Sequence, residues 1–259
     1  MHDELLDLFR ALNDPERRRE IERRGDFFLV EGLLGLRALV TTDHPIRAVL
    51  AAERRATVAL ELVGRRAPIL VRPAEEVRGI TGFNFHRGII AAVDRRPLPS
   101  VASVLAPPAR RVALVEGVND HENLGALFRN AAGFGVDGVL LDPTTADPLY
   151  RRSVRVSMGH VLQVPFTRFP TGGWPDGLAD VRDAGFTVVA LTPAPGAVPI
   201  DELAADPPTR IAFLVGAEGP GLTDAALASA DVHVRIPLSP AVDSLNVATA
   251  AAIAFHRLS

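Results

Sequence analysis

Apolar positions along this chain follow two rhythms. Uninterrupted runs such as RVALVEG (111–117), GVLLD (138–142), FTVVALT (186–192) and RIAFLVG (210–216) alternate with stretches where apolar residues recur every three or four positions. Unalternating runs of that length predict strands buried on both faces, and the 3.6-residue rhythm between them predicts helices. Beyond residue 111 the expected order is strand 111–117, a helix from about His121, strand 138–142 and a helix over about 149–157. Strand 161–166, a helix over about 175–184, strands 186–192, 210–216 and 232–237, and a last helix over about 244–258 complete it. Strands alternating with helices in this way predict a parallel sheet covered on both sides.

Nearer the N-terminus, FFLVEG (27–32), IRAVLA (46–51), APILVR (67–72) and GIIAAVD (88–94) read as strands with helical segments between them. A charged helical lead over about 3–24 precedes them. RRPLPSVASVLAPPARR (95–111) holds four prolines and little periodicity, which predicts a linker. The expected organisation is a small α/β domain with its lead (1–95), a linker (96–110) and a larger α/β domain (111–259).

Composition narrows the chemistry. Of 259 residues, 47% are apolar, enough for a sizeable core. There is no cysteine, which excludes disulfides, thiolate nucleophiles and cysteine metal sites. Lysine is also absent, so all 28 basic residues are arginine and a Walker lysine or Schiff-base lysine is excluded. Seven histidines are scattered without an H-x-x-x-H pair, so no metal is expected. No run of 18 apolar residues occurs, so no membrane span is expected. The N-terminal stretch lacks a signal-peptide apolar core, so a cytoplasmic protein is expected. Net charge is −3, but residues 1–100 carry 17 Arg against 15 acids and residues 101–259 carry 11 against 16. The two halves differ in sign, and any contact with nucleic acid is therefore expected to be local.

Three segments carry chemistry. In VEGVNDHENLGALFRNAAGFGVDGVLL (115–141), Leu124, Leu127, Phe128 and Ala131 form the buried stripe of a helix, with Asn123 and Arg129 off it. An arginine there needs an anion or serves an ordinary surface ion pair. FLVGAEGPGL (213–222) is a strand running into a loop of glycines with one acid, Glu218. Such a loop is either a plain tight turn or a place where backbone closely approaches a ligand at a strand's carboxyl end. It lacks the dinucleotide G-x-G-x-x-G, which argues against a nucleotide oxidoreductase. IPLSPAVDSLNVATAAAIAF (236–255) leads from a strand through Ser244, Leu245 and Asn246 into an alanine-rich helix. Ser244 reads as a natural N-cap, and the small residues beyond it permit close helix packing, within the chain or across a dimer.

Together, and in this order, Asn-x-Gly-x-x-x-Arg (123–129), Gly-x-Glu-Gly-x-Gly (216–221) and Ile-Pro-Leu…Asp-Ser-Leu-Asn-Val-Ala (236–248) resemble the three signature motifs of the SpoU-type RNA 2′-O-ribose methyltransferases, part of the SPOUT superfamily. The resemblance covers about residues 110–259. The segment YRRSVRVSMGHVLQVPF (150–166) is similar to the family's stretch between its first two motifs. The front domain, with NFHRGIIAAV near its end, is similar to the family's RNA-binding accessory domain.

The resemblance implies a C-terminal parallel sheet tied in a deep trefoil knot, a homodimer through the C-terminal domain, and S-adenosyl-L-methionine as cofactor. It implies cofactor contacts from Leu214, Val215, Gly216, Glu218, Gly221, Ile236, Leu238, Ser244 and Leu245. It implies Asn123, Arg129, Glu218, Ser244 and Asn246 as the catalytic set. A guanidinium is essentially never deprotonated, so Arg129 is expected to stabilise charge rather than take a proton. Arg152 or Arg155 is expected to supply a second phosphate contact. RNA contacts are also expected from Arg87, with Phe85 and His86 beside it, where aromatics and a cation share one loop. Arg17, Arg18, Arg19, Arg23 and Arg24 either join them or pair with Glu16, Glu20 and Glu22 on a solvated helix. Ribosomal RNA is the favoured substrate. Transfer RNA, or an inactive RNA-binding or assembly factor of the same fold, are the alternatives.

Overall fold

The computed structural model describes residues 2–14, 16–17, 20–21, 26–84 and 86–258. The chain divides into two compact units. One is Met1–Pro97 with Leu149–Gln163, and the other is Leu98–Pro148 with Val164–Ser259.

The front unit opens with α1 (His2–Asp7), then runs β1 (Phe27–Glu31), α2 (Gly32–Val40), β2 (Ile46–Ala52) and α3 (Ala56–Val63). It continues through β3 (Ile69–Arg72), α4 (Ala74–Thr81) and β4 (Ile89–Asp94). Its four strands lie in the order β1-β4-β2-β3. The β1/β4 and β4/β2 pairs are antiparallel and β2/β3 is parallel. One sheet face, carrying Phe27, Leu29, Ala48, Leu50, Ile90 and Ala92, packs against Leu6, Phe9 and Leu12 of the lead.

The lead is not one continuous helix. Past Asp7 the chain turns, Ala11 takes φ 50°, and the Ala11 and Leu12 amides donate to the carbonyls of Ile80 and Thr81. Those tertiary bonds replace the helical ones. Asp14 stands before a proline, which disfavours helix at that position.

The second unit begins with α5 (Val101–Leu105), β5 (Arg111–Glu116), α6 (His121–Gly133) and β6 (Gly138–Leu141). The chain then contributes α7 (Arg151–Val156) to the front unit before returning as β7 (Phe166–Arg168). It ends with α8 (Leu178–Asp183), β8 (Thr187–Leu191), β9 (Val198–Pro199), α9 (Ile200–Ala205), β10 (Ile211–Gly216), α10 (Asp224–Ala228), β11 (Val232–Arg235) and α11 (Val247–Arg257). The sheet order is β7-β6-β5-β10-β8-β11-β9, and every pair is parallel. All the strands therefore end at one edge, and β5, β10, β8 and β11 lie side by side there.

Three expectations change. The proline-rich stretch is not a free linker: Ser100 caps α5 by accepting from the Ser103 amide at 3.1 Å, and Val104, Leu105 and Ala109 enter the core. The expected strand 161–166 starts only at Phe166, because residues 160–162 form a turn of 3₁₀ helix whose Val161 is buried in the front unit. Pro165 has no N–H to give a ladder and contributes only its carbonyl, to the Val139 amide. The expected helix 175–184 begins at Leu178. No described helix is long and apolar enough to cross a membrane.

Candidate functional site

The loops after β8, β10 and β11 enclose a cavity of about 620 Å³ in the second unit. That volume lies within the usual range for small-molecule sites. Its walls are apolar at Leu191, Val215, Val234, Ile236, Leu238 and Leu245. Thr192, Glu218, Ser244 and Asn246 supply polar groups. The loop 216–222 forms one side, closed on itself by Gly221 N–H donating to the Ala217 carbonyl at 3.0 Å. A Cβ at Gly216 would stand 2.5 Å from Gly221 C and Leu222 N, so only glycine lets the loop fold back so closely.

Eight of the nine expected cofactor residues line this cavity: Val215, Gly216, Glu218, Gly221, Ile236, Leu238, Ser244 and Leu245. Leu214 does not. It is fully buried in the core cluster, because neighbouring strand residues point to opposite faces and Val215 takes the cavity side. Thr192 and Pro193, just past the end of β8, were not foreseen, although the carboxyl end of any parallel strand is a place to look.

At the rim the three motif segments meet through one side chain. Asn246 Oδ1 accepts from the Ala248 and Thr249 amides at 3.0 and 3.2 Å, capping α11. Asn246, not Ser244, is thus the N-cap, and those two bonds fix which end of its amide is oxygen. Its Nδ2 then donates to Asn123 Oδ1 at 2.7 Å and to Glu218 Oε1 at 2.5 Å. One turn pair further along α6, Asn130 Nδ2 donates to the Ala248 carbonyl at 2.8 Å. Asn123 and Asn130 are seven residues apart and share the helix face turned to α11. The alanines of α11 serve this packing: Ala248, Ala251 and Ala254 are buried within the chain.

Arg129 is not part of this cluster. Six residues from Asn123, it is turned about 120° around α6 and about 9 Å along it. It is exposed and forms no hydrogen bond or ion pair among the described residues.

The start of α6 is held firmly. Asp120 caps it, accepting from the Glu122 and Asn123 amides at 2.8 Å each. Behind it, Asp142 at the end of β6 accepts from the amides of Gly117 (3.1 Å) and Thr145 (2.7 Å) and from both threonine hydroxyls. Burial acts to raise the Asp142 carboxyl. The bonds from Thr144, Thr145 and Gly117 outweigh it and hold the group below the usual carboxylate range.

In the front unit, Arg87 and His86 are exposed, and Phe85 lies outside the described residues. The fold brings Arg54 and Arg55, just past β2, beside Arg87. A Cβ on Gly88 would be 2.9 Å from Arg55 Cγ and 3.5 Å from Arg54 Nη2, and one on Gly32 would be 3.0 Å from Arg87 Cδ. Arg54 donates to the His86 carbonyl, and none of the three has a carboxylate partner among the described residues. A segment 32 residues away gave no signal of this in the sequence. Arg17 bonds Glu20 at 2.6 Å, the solvated-helix reading; Arg18, Arg19, Arg23 and Arg24 lie outside the described residues. Arg152 is exposed and Arg155 half-buried on α7, which belongs to the front unit. Their neighbour Arg151 reaches the buried Glu31 at 2.6 Å and stacks 4.3 Å over the Phe83 ring.

The SpoU rRNA Methylase family model matches residues 110–256. An uncharacterized tRNA/rRNA methyltransferase of Mycobacterium tuberculosis is 48% identical over 98% of this chain and 88% of its own length. The 23S rRNA (guanosine(2553)-2′-O)-methyltransferase RlmP of Bacillus subtilis is 30% identical over 81% of this chain and 87% of its own. An AdoMet-bound rRNA methyltransferase from Sinorhizobium meliloti has the same fold, with a TM-score of 0.78 at 26% identity, covering 98% of this chain and 93% of that one. The chain belongs to the SpoU rRNA methylase family.

Proposed function

We propose that this protein is an S-adenosylmethionine-dependent RNA 2′-O-ribose methyltransferase acting on ribosomal RNA. The observation that carries the reading is the Asn123–Asn246–Glu218 cluster at the rim of the cavity. The cavity suits the cofactor: an apolar slot for a heterocycle, with hydroxyl, amide and carboxylate groups at its rim for a polar tail. The residues that would hold it are Val215, Gly216, Gly221, Ile236, Leu238, Ser244 and Leu245, with Thr192 added. Bound there, S-adenosylmethionine supplies an activated methyl group for transfer to a ribose 2′-oxygen.

The chain's own part is to place that oxygen and stabilise its charge. Asn246 commits both its amide hydrogens, so Asn123 Oδ1 is occupied and its Nδ2 is left to donate toward a sugar oxygen. Glu218 holds Asn246 from the other side and ties loop 216–222 to α11. Arg129, permanently charged and without a carboxylate partner among the described residues, is suited to a phosphate beside the target ribose and to the charge developing on the attacking oxygen.

The same reading includes three further elements. The sheet is knotted; in support, segments 216–222 and 236–246 wrap the same strand ends. Two copies pair through the C-terminal domain; in support, Val242 is 48% exposed just before α11. The front unit grips RNA through Arg54, Arg55 and Arg87. A ribosomal RNA substrate implies a cytoplasmic enzyme.

The test is methyl transfer from labelled S-adenosylmethionine to ribosomal and transfer RNA, with 2′-O-methyl mapping. Label on a 2′-oxygen of ribosomal RNA is expected, and Arg129→Ala should lower turnover roughly 10²–10³-fold. Exclusive labelling of transfer RNA would change the substrate; no transfer to any RNA would remove the function.

A further inference from the structure

The reaction outlined above makes no use of Glu116, yet this acid ends β5 with only 5% of its surface exposed. A carboxylate is rarely placed so deep without a set of donors around it. Glu116 has three. Its Oε1 accepts from Trp174 Nε1 at 2.6 Å and from Thr223 Oγ1 at 2.8 Å, and its Oε2 accepts from the Thr223 amide at 2.9 Å.

These partners sit at meaningful places. Thr223 follows immediately on loop 216–222 and is the N-cap of α10, accepting from the Ala226 amide at 3.2 Å. Gly216, the first residue of the loop, lies opposite Glu116 in the β5/β10 ladder. One residue therefore fixes both ends of the loop, the start by backbone register and the finish by its side chain. Every residue between, Gly216 to Leu222, lines the cavity. Trp174 is the chain's one tryptophan, and its ring rests on Phe169 with centroids 5.3 Å apart.

We infer that Glu116 is a positioning residue for the cofactor loop, acting through Thr223, and that Trp174 reports on ligand entry through the same carboxylate. This rests on the reading of the cavity as an S-adenosylmethionine site. The isosteric change to glutamine separates positioning from packing. Whichever way its amide is turned, the NH₂ end meets an N–H, either of Thr223 or of Trp174, and Thr223 Oγ1 is already engaged as a cap.

The test uses the full chain and S-adenosylmethionine alone, without RNA. In the wild type, calorimetry and Trp174 emission should give one and the same dissociation constant. Glu116→Gln should bind about tenfold more weakly, the size expected for a lost charged hydrogen bond. Its Trp174 response should be blunted, and Glu116→Asp should recover part of the affinity. In turnover assays the KM for the cofactor should rise while kcat and the KM for RNA stay near wild type. Should Glu116→Gln fail to fold, Thr223→Val leaves the acid in place and removes one of its bonds together with the α10 cap, and a severalfold loss is expected. Wild-type affinity in either folded variant overturns the proposal. A wild type that is silent in calorimetry removes the cofactor reading itself, and this inference with it.

Discussion

Polar side chains at the cavity rim and at the front-unit arginine cluster are treated in opposite ways. At the rim, Asn246 spends every donor and acceptor it has on Asn123, Glu218 and two backbone amides. Around Gly88 and Gly32, three arginines gather with no carboxylate among the described residues to answer them. Elsewhere in the front unit arginines are answered: Arg47 pairs with Asp26 and Asp94, and Arg151 with Glu31. A satisfied network holds one geometry, as a site for a small ligand of fixed shape requires. Like charges left unpaired on a surface suit a polyanion that arrives with its own countercharge. On the proposed function, the contrast matches shape recognition in one region and charge recognition in the other.

The largest expected effect comes from breaking the shape. Gly216→Val places a side chain where Gly221 C and Leu222 N stand, and backbone atoms cannot move aside as the end of a side chain can. Overpacking of this kind costs about 1–3 kcal/mol, so S-adenosylmethionine should bind roughly ten- to hundredfold more weakly by calorimetry. Salt should leave that loss unchanged. A loss that vanished at high ionic strength would mean that the cavity also works mainly by charge.

How far these regions could be read beforehand follows the same division. The strands that build the cavity edge were legible because β5, β6 and β10 are continuous apolar runs, which burial on both faces imposes. The glycine loop and the Ser-Leu-Asn turn were legible as motifs. The cap was not: Ser244 and Asn246 are both good N-cap residues, and only the bonds from the Ala248 and Thr249 amides decide for Asn246. That the Leu214 side chain turns into the core while Val215 takes the cavity side follows from the two-residue period of a strand. The membership of Leu149–Gln163 in the front unit was illegible, because it rests on contacts between residues far apart in sequence, among them Arg151 meeting an acid 120 residues earlier. The arginine cluster was half legible. The loop around Arg87 stood out by composition, whereas Arg54 and Arg55 looked like any charged turn until β2 and β4 were paired.

The second prediction sharpens the charge side. Arg54→Ala, Arg55→Ala and Arg87→Ala together should raise the KM for RNA about tenfold near physiological salt. The salt dependence of RNA binding should flatten by about 0.7–0.9 in log–log slope for each phosphate that is no longer neutralised. Cofactor affinity should not move. An unchanged slope would mean that these arginines do not face phosphate, and the contrast between the regions would fail.

The smallest effect concerns acid, and it asks whether the units differ in stability as they do in recognition. His44 in the front unit is pushed below its ordinary value of 6.5, first by burial and then by Arg96, against the opposing bond to the Asp94 carbonyl. It packs edge-on to Phe28 at 5.5 Å. A depressed histidine favours the neutral folded form. Its contribution is therefore complete above pH 6.5 and declines as pH falls toward the folded value. Asp142 in the second unit is also depressed, but from 3.8, so its contribution declines only at pH below about that point. Acidification from about pH 7 to about pH 5 should soften the front unit alone. The shift should be no more than about 4 °C in unfolding midpoint, since His44 is only half-buried. Hydrogen exchange resolved along the chain would read it, with faster exchange in β1, β2 and β4 and none in β5 or β10. His44→Phe should abolish the pH dependence. Equal loosening of both sheets over that range would show that the two units answer to acid as one.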